Sequence, residues 1–217
     1  VVDALRASAT AALLLDAGAA EILAVREVTE ARAARGEFSD ALLYGERGGL
    51  PPEGFDFGNS PRTVDAARGR RVIFTTTTGA GRLVDCWGAE AAYMGSTVNA
   101  AAVVRAAARH EKDVVLIPAG LMSDPGFNAQ EDWVAAVVIA MRAGGALGEG
   151  AGAFCAWRER IEHEGIESLF QTAPHALKLR RVGLGDDITF CAQVDITTAV
   201  PRAVLRHPLG VILRDGR

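Results

Sequence analysis

The stretch EILAVREVTEARAARGEFSDALLYGERGGLPPEGFDFGNSP, residues 21–61, decides the fold class. Glu21–Val25 is a short apolar run, Val28–Arg35 has the charged, alanine-rich pattern of a surface helix, and Ala41–Tyr44 is again short and apolar. Strand, helix, strand with brief connections is the unit from which helix-covered parallel sheets are built. The loop after Tyr44 is longer than most and crowds glycines, Pro51, Pro52, Phe55, Phe57, Glu46, Arg47, Asp56 and Asn59 together. Gly45, Glu46 and Arg47 stand where the second strand ends, the edge at which α/β proteins commonly bind ligands. The loop therefore brings one carboxylate and one guanidinium to a crevice. At its far end Ser60-Pro61 reads as a helix start, N-cap followed by proline at the first helical position, whose free N–H groups suit an anion. The plain alternative is a loop that covers the core with Phe55 and Phe57 as plugs.

Outward from this stretch the alternation continues. Val1–Val2 reads as a strand, Ala9–Ala17 as a helix, Thr63–Arg68 as a helix, Arg71–Thr75 and Ala89–Met94 as strands, Val98–Arg109 as a helix, Asp113–Ala119 as a strand and Ala129–Arg142 as a helix. This is the rhythm of a layered α/β/α fold with a largely parallel or mixed sheet. After Gly144 the rhythm changes to three helical segments, Phe154–Glu164, Ile166–Ala173 and Pro174–Val182, a late helical excursion or small lobe at 151–183. Ile188–Val194 and Gly210–Leu213 then read as closing strands.

Composition narrows the partners. The 217 residues carry a net charge of −4, so there is no basic footprint for nucleic acid, and no apolar run is long enough to cross a bilayer. Lys112 and Lys178 are the only lysines, which leaves anion recognition to arginine forks or backbone amides. Cys86, Cys155 and Cys191 are isolated, as in reduced cytoplasmic proteins. The first residue, Val1, already lies in a strand-like run, so further residues are expected upstream.

Candidate chemistry gathers at the strand ends. Asp3 and Arg6 follow the first strand and precede a helix, which places them at the same sheet edge as Glu46 and Arg47; the bland reading is a helix cap and a surface pair. Thr76-Thr77-Thr78-Gly79-Ala80-Gly81-Arg82 lies between a strand and a helix and could cradle an anion, without the spacing or lysine of a Walker loop. In Gly95-Ser96-Thr97-Val98-Asn99, Ser96 and Asn99 either orient a substrate or, with Thr97, cap the next helix. In Gly126-Phe127-Asn128-Ala129-Gln130-Glu131-Asp132-Trp133, Asn128 and Glu131 fit a capping box, whereas the adjacent Asp132 points to a divalent cation. Esterase elbows, H-E-x-x-H and cysteine-phosphatase loops are missing, and His110, His163, His175 and His207 are scattered as surface or capping residues. Carboxylates, arginines and hydroxyls suit metal-assisted hydrolysis of an anionic ester.

Taken together, VVDALRASAT, YGERGG, GFDFGNSP, TTTTGAGR, STVNAAAV, AQEDW and DDITFCAQVD resemble the 2-phosphosulfolactate phosphatase (ComB) family over nearly the whole chain. The resemblance implies one phosphatase domain over 1–217 that uses Mg²⁺ to hydrolyse 2-phospho-3-sulfolactate, or a related phosphorylated hydroxy acid, to sulfolactate and phosphate in the cytoplasm, on a route to coenzyme M or sulfolactate. Asp3, Arg6, Glu46 and Arg47 become the expected catalytic residues, and Asp3, Glu46, Glu131 and Asp132 the expected metal ligands. Asn59, Ser60, Thr76, Thr77, Ser96 and Asn99 are expected to bind substrate. Thr78 stands where the family pattern TTTNGT has asparagine, which bears on substrate preference. The expected partners are a small anionic phosphorylated substrate and, in a homodimer, a second copy of the chain. The alternative is a non-catalytic anion- or nucleotide-binding module on the same fold.

Overall fold

The computed structural model describes residues 1–122 and 128–217. Five strands form one mixed sheet in the order β2-β3-β1-β5-β4. β1 (Glu21–Val25), β2 (Leu42–Gly45) and β3 (Arg71–Thr75) are parallel, with β3 between the other two. On the other side of β1, β5 (Gly210–Asp215) runs antiparallel to it and pairs with the edge strand β4 (Pro201–His207), also antiparallel.

β1, β2, β3 and β5 alternate between faces, as a two-residue period demands, while β4 has a register shift between Ala203 and Leu205. Leu23, Val25, Leu43, Ile73 and Ile212 enter one core with Ala31 and Ala34 of α2 (Val28–Glu37). Ile22, Ala24, Tyr44, Val72, Phe74, Val211 and Leu213 enter another, beneath α1 (Ala7–Asp16) and α3 (Gly79–Asp85). α1 is apolar nearly all round, the signature of a helix buried on every side. Its Ala9 and Ala12 belong to a third core, shared with α4 (Ala100–Ala108), α5 (Gln130–Ala143), α7 (Ile166–Thr172), α8 (Pro174–Arg181) and α9 (Gly185–Ala192). The amphipathic α6 (Ala151–Glu164) lays Trp157 and Ile161 against that core. No helix among the described residues is long and apolar enough to cross a membrane.

Several expected elements differ. Val1–Val2, Ala89–Met94 and Asp113–Ala119 do not form strands; Val2 instead makes single parallel bridges to Gly95 and Pro118. The chain turns into α1 too soon for a ladder, and Val114 and Val115 are exposed rather than alternating. Thr63–Arg68 shrinks to a 3₁₀ turn at Asp65–Ala67, and Ser60-Pro61 starts no helix, so no helix N-terminus offers itself to an anion there. Ile188–Val194 reads as strand because its β-branched and aromatic residues favour one. Packing overrides that preference: Asp187, Ile188, Cys191 and Ala192 share the buried face of α9, with Asp186 and Asp187 in its first turn. The edge strand β4 goes unread because Pro201 opens it and arginines interrupt its apolar residues; proline is tolerated at the start of an edge strand, where its missing N–H costs no ladder bond.

Candidate active site

The parallel strands β2 and β3 end side by side at Gly45 and Thr75, and the segment before α1 lies across their ends. A cavity of ≈ 230 Å³ opens there, small enough for a compact acid rather than a nucleotide. Asp3, Arg6, Glu46, Asn59, Glu131 and Asp132 line it, Thr77 and Thr78 complete one side, and α8 overhangs it with His175 and Lys178.

Asp3, Glu46 and Asp132 each accept at least one hydrogen bond from a distant part of the chain. Asp3 Oδ1 accepts the Ala7 N–H at 3.2 Å, while its Oδ2 accepts the Thr78 hydroxyl and the Gly79 N–H at 3.0 Å each. Asp3 therefore joins the start of α1 to the start of α3. At Gly79 only glycine fits, because an added Cβ would sit 2.6 Å from Asp3 Oδ2. Glu46 Oε1 accepts both the N–H (2.7 Å) and the hydroxyl (2.8 Å) of Thr77, and Oε2 accepts the Gly49 N–H at 2.9 Å. Gly49 adopts φ +90°, and its carbonyl in turn accepts from Arg6 Nη2 at 2.7 Å. Asp132 Oδ1 accepts the Ala4 N–H at 2.7 Å and its Oδ2 the Gly120 N–H at 3.0 Å.

Glu131 is different. Its Oε1 lies 3.4 Å from His175 Nδ1, but Oε2 is buried without a hydrogen-bond partner among the described residues, as is Asn59 Oδ1. Burial pushes the Asp132 carboxyl well above the usual range, and the charges of Asp3 and Glu131 push it further. Burial likewise raises Asp3, against the pull of His175 and the bonds from Ala7 and Thr78. For His175, burial opposes the charge, yet the contact with Glu131 and the charges of Glu131, Asp3 and Glu46 outweigh it and raise its pKa.

Of the residues expected from sequence, the structure brings Asp3, Arg6, Glu46, Asn59, Thr77, Glu131 and Asp132 to one cavity. Arg47 does not join them and is a correction. Its guanidinium turns back along the strand ends, donating to the carbonyls of Glu46 and Arg26 and to Thr75 Oγ1 at 2.7 to 3.0 Å. Thr76 Oγ1 accepts the Ala80 N–H at 3.0 Å, inside the first turn of α3. Ser96 and Asn99 form a reciprocal capping box, and Asn99 Nδ2 donates to the Ala199 carbonyl at 3.0 Å; neither lines the cavity. Ser60 donates to Asp187 Oδ1 at 2.7 Å, behind the cavity wall. The expected box between Asn128 and Glu131 is not formed either: α5 starts at Gln130 with Ala129 as N-cap and without a side-chain cap. Gly126 and Phe127 of that motif lie outside the described residues.

Three residues of the site escaped the sequence reading. His175, expected at the surface, and Lys178 stand one turn apart on α8 and face the carboxylates. Their i, i+3 spacing in PHALKL was the available signal. Asp187, buried in α9, pairs with Arg6 Nη1 at 2.6 Å; it stands just before Ile188–Val194, the run expected to be a strand.

The oxygen donors suit a hard divalent cation, since Asp3, Glu131 and Asp132 are buried together, repel one another, and leave Glu131 Oε2 unpartnered. Among the described residues no three acidic, histidine or cysteine side chains already stand as a coordination cluster, so a cation there would share its shell with ligand or water.

Comparison with known proteins gives a consistent result. A family model described as 2-phosphosulpholactate phosphatase matches residues 1–205. The probable 2-phosphosulfolactate phosphatase of Deinococcus radiodurans is 38% identical over 212 residues, covering 94% of this chain and 86% of that protein. The protein of the same description from Thermus thermophilus is 37% identical over 222 residues, covering 98% and 90%, and that from Carboxydothermus hydrogenoformans 32% over 207 residues, covering 95% and 86%.

Proposed function

Because the chain belongs to the 2-phosphosulpholactate phosphatase family, we propose that it hydrolyses 2-phospho-3-sulfolactate, or a closely related phosphorylated hydroxy acid, to the hydroxy acid and phosphate with Mg²⁺ as cofactor. The observation that carries this reading is the meeting of buried carboxylates with Arg6, His175 and Lys178 around one cavity. Carboxylates alone would repel a phosphate ester, and cations alone would bind it without the means to hydrolyse it.

On this reading Asp3, Glu131 and Asp132 hold the cation. Bound there, Mg²⁺ neutralises phosphoryl charge and makes a coordinated water more acidic. The chain's own residues do the rest. Arg6 and Lys178 bind the phosphoryl, sulfonate or carboxylate oxygens, Arg6 with the donors left over from its bonds to Gly49 and Asp187. Glu46, bonded to Thr77 and Gly49 much as Asp3 is to Ala7, Thr78 and Gly79, joins the loops on either side of the substrate and adds a further carboxylate to the cation's surroundings. Asn59 Oδ1 accepts a hydrogen bond from the ligand or its water. Leu5 and Leu179 give the cavity an apolar flank that limits water. Thr78, at the position of the family's asparagine, keeps its hydroxyl on Asp3, so the side chain there organises a carboxylate and leaves room for related acids.

The test is phosphate release from 2-phosphosulfolactate and from a panel of phosphorylated hydroxy acids, with EDTA and with Mg²⁺. Release is expected only with Mg²⁺ and fastest for substrates that carry a second strong anion. Full activity in metal-free protein removes the cofactor assignment. Tight anion binding without release under any condition favours the non-catalytic module instead.

A further inference from the structure

The first turn of α9 contains two neighbouring aspartates with opposite fates. Asp186 is exposed and pairs with exposed Arg62 at 2.8 Å. Asp187 is 1% exposed and meets Arg6, 2% exposed, at 2.6 Å. Its second oxygen accepts the Ser60 hydroxyl at 2.7 Å. One buried carboxylate therefore grips both a cationic wall residue of the cavity and the turn that carries Asn59.

We propose, building on the phosphatase reading, that Asp187 is a positioning residue of the active site, fixing the Arg6 guanidinium from behind while Ser60 keeps Asn59 in the same wall. The physical need is plain. Arg6 lines the same cavity as Asp3, Glu46 and Glu131, and a guanidinium without a fixed partner would be free to turn toward those carboxylates. Asp187 takes Nη1 and the Gly49 carbonyl takes Nη2, so two arms of the planar fork are held and its orientation follows. The carbonyl contact extends the grip, since the Gly49 N–H is itself held by Glu46, whose other oxygen holds Thr77. Asp187 thus lies at the far end of a continuous chain of bonds that reaches both sides of the cavity.

The test compares Asp187→Asn, Asp187→Glu and Arg6→Gln with the parent. Inorganic phosphate is titrated into Mg²⁺-loaded protein by calorimetry, and the side-chain ¹⁵N–H signals of Arg6 are followed by NMR, both well below each variant's melting temperature. Positioning predicts that Asp187→Asn weakens phosphate binding at least tenfold and loses the resolved, slowly exchanging Arg6 signals. Adding Arg6→Gln should then weaken it little further, because residues that act as a unit are not additive. Asp187→Glu keeps the charge but moves it by a methylene, so it should fold like the parent and still bind phosphate several-fold more weakly; it decides the matter if Asp187→Asn does not fold. A folded Asp187→Asn or Asp187→Glu with phosphate affinity within twofold of the parent and unchanged Arg6 signals overturns the proposal. If the parent neither releases nor binds phosphate, the phosphatase reading falls, and the Arg6 signals alone decide whether Asp187 positions the guanidinium.

Discussion

Replacing Gly79 with alanine tests whether the cavity depends on a backbone that approaches Asp3 without a side chain in between. The new Cβ would lie 2.6 Å from Asp3 Oδ2 and 2.9 Å from Ala7 Cβ, both well inside van der Waals contact. Ala7 belongs to the buried helix α1 and cannot move away, so Asp3 must yield and α3 must shift. Overpacking of this kind costs about 1 to 3 kcal/mol. Loosening the Thr78 and Gly79 donors from a buried carboxylate adds about 1 kcal/mol or more. A total of about 2 to 4 kcal/mol corresponds to a melting temperature lower by about 5 to 15 °C for a chain of this size. Activity should fall further than stability, with kcat/KM down by about tenfold or more in protein that is still folded, because Asp3, a cation ligand on the proposed reading, is displaced. The control is Gly36→Ala near the end of α2, where nothing lies within 4 Å of the new methyl and stability should rise by about 0.5 to 1 kcal/mol. Thermal melts and phosphate-release kinetics on both variants suffice. If Gly79→Ala melts with the parent and turns over at the parent's rate, the close approach does not constrain the site and the argument fails.

Glu131→Gln should keep its melting temperature, since it removes a buried charge that repels Asp132, while raising the Mg²⁺ concentration needed for half-maximal phosphate release by tenfold or more; an unchanged Mg²⁺ dependence would move the cation elsewhere. Ser96→Ala, which breaks the capping box, should cost about 1 kcal/mol in a denaturant melt and leave kcat and KM untouched, whereas a fall in kcat would restore Ser96 to the substrate site. Glu21 gives a pH signature. Burial alone would raise its carboxyl, but the bonds from Arg71 and Arg214 outweigh burial and hold it below the ordinary 4.5. A depressed carboxyl stabilises the fold above its unfolded value and loses that contribution as pH falls through the folded one. Urea melts of the parent and Glu21→Gln should therefore differ by about 1 kcal/mol near neutrality, modest because both arginines are partly exposed, and converge below pH 4.5. Curves that stay parallel across that window would show that the ion pairs contribute nothing.

The parallel strands were legible because each is short, apolar and followed at once by a turn, so β1 and β3 begin and end where the pattern puts them. Glu46, Asp3 and Asp132 were legible for a related reason, since each stands at a strand end or helix start that the alternation brings to one sheet edge. Ser96, Asn99 and Thr76 were ambiguous because a cap and a ligand require the same hydroxyls and amides, and only burial and partner decide between them. Arg47 was misplaced because sequence gives a position along the loop but not the direction of a long side chain, which here finds carbonyls nearer than the cavity. The i, i+3 spacing of His175 and Lys178 put them on one helix face but not at the cavity, and Asp187 carried no such signal, because the approach of α8 and α9 is set by how Leu169, Phe170, Ala176, Leu179 and Ile188 pack against a distant part of the chain.

The segment Asp3–Arg6 is bonded to residues 78 and 79, to Asp132 and to Asp187, so its partners span almost the full length of the polypeptide. Closing loops of 128 and 181 residues is entropically unrewarded until the intervening layers have condensed. Arg6, made early, therefore waits for α9 before its guanidinium gains its second anchor. A nascent chain halted before α9 would carry the sheet's parallel strands and all the carboxylates that line the cavity, yet hold Arg6 by the Gly49 carbonyl alone. Completion of the cavity wall is in this way tied to the arrival of α9.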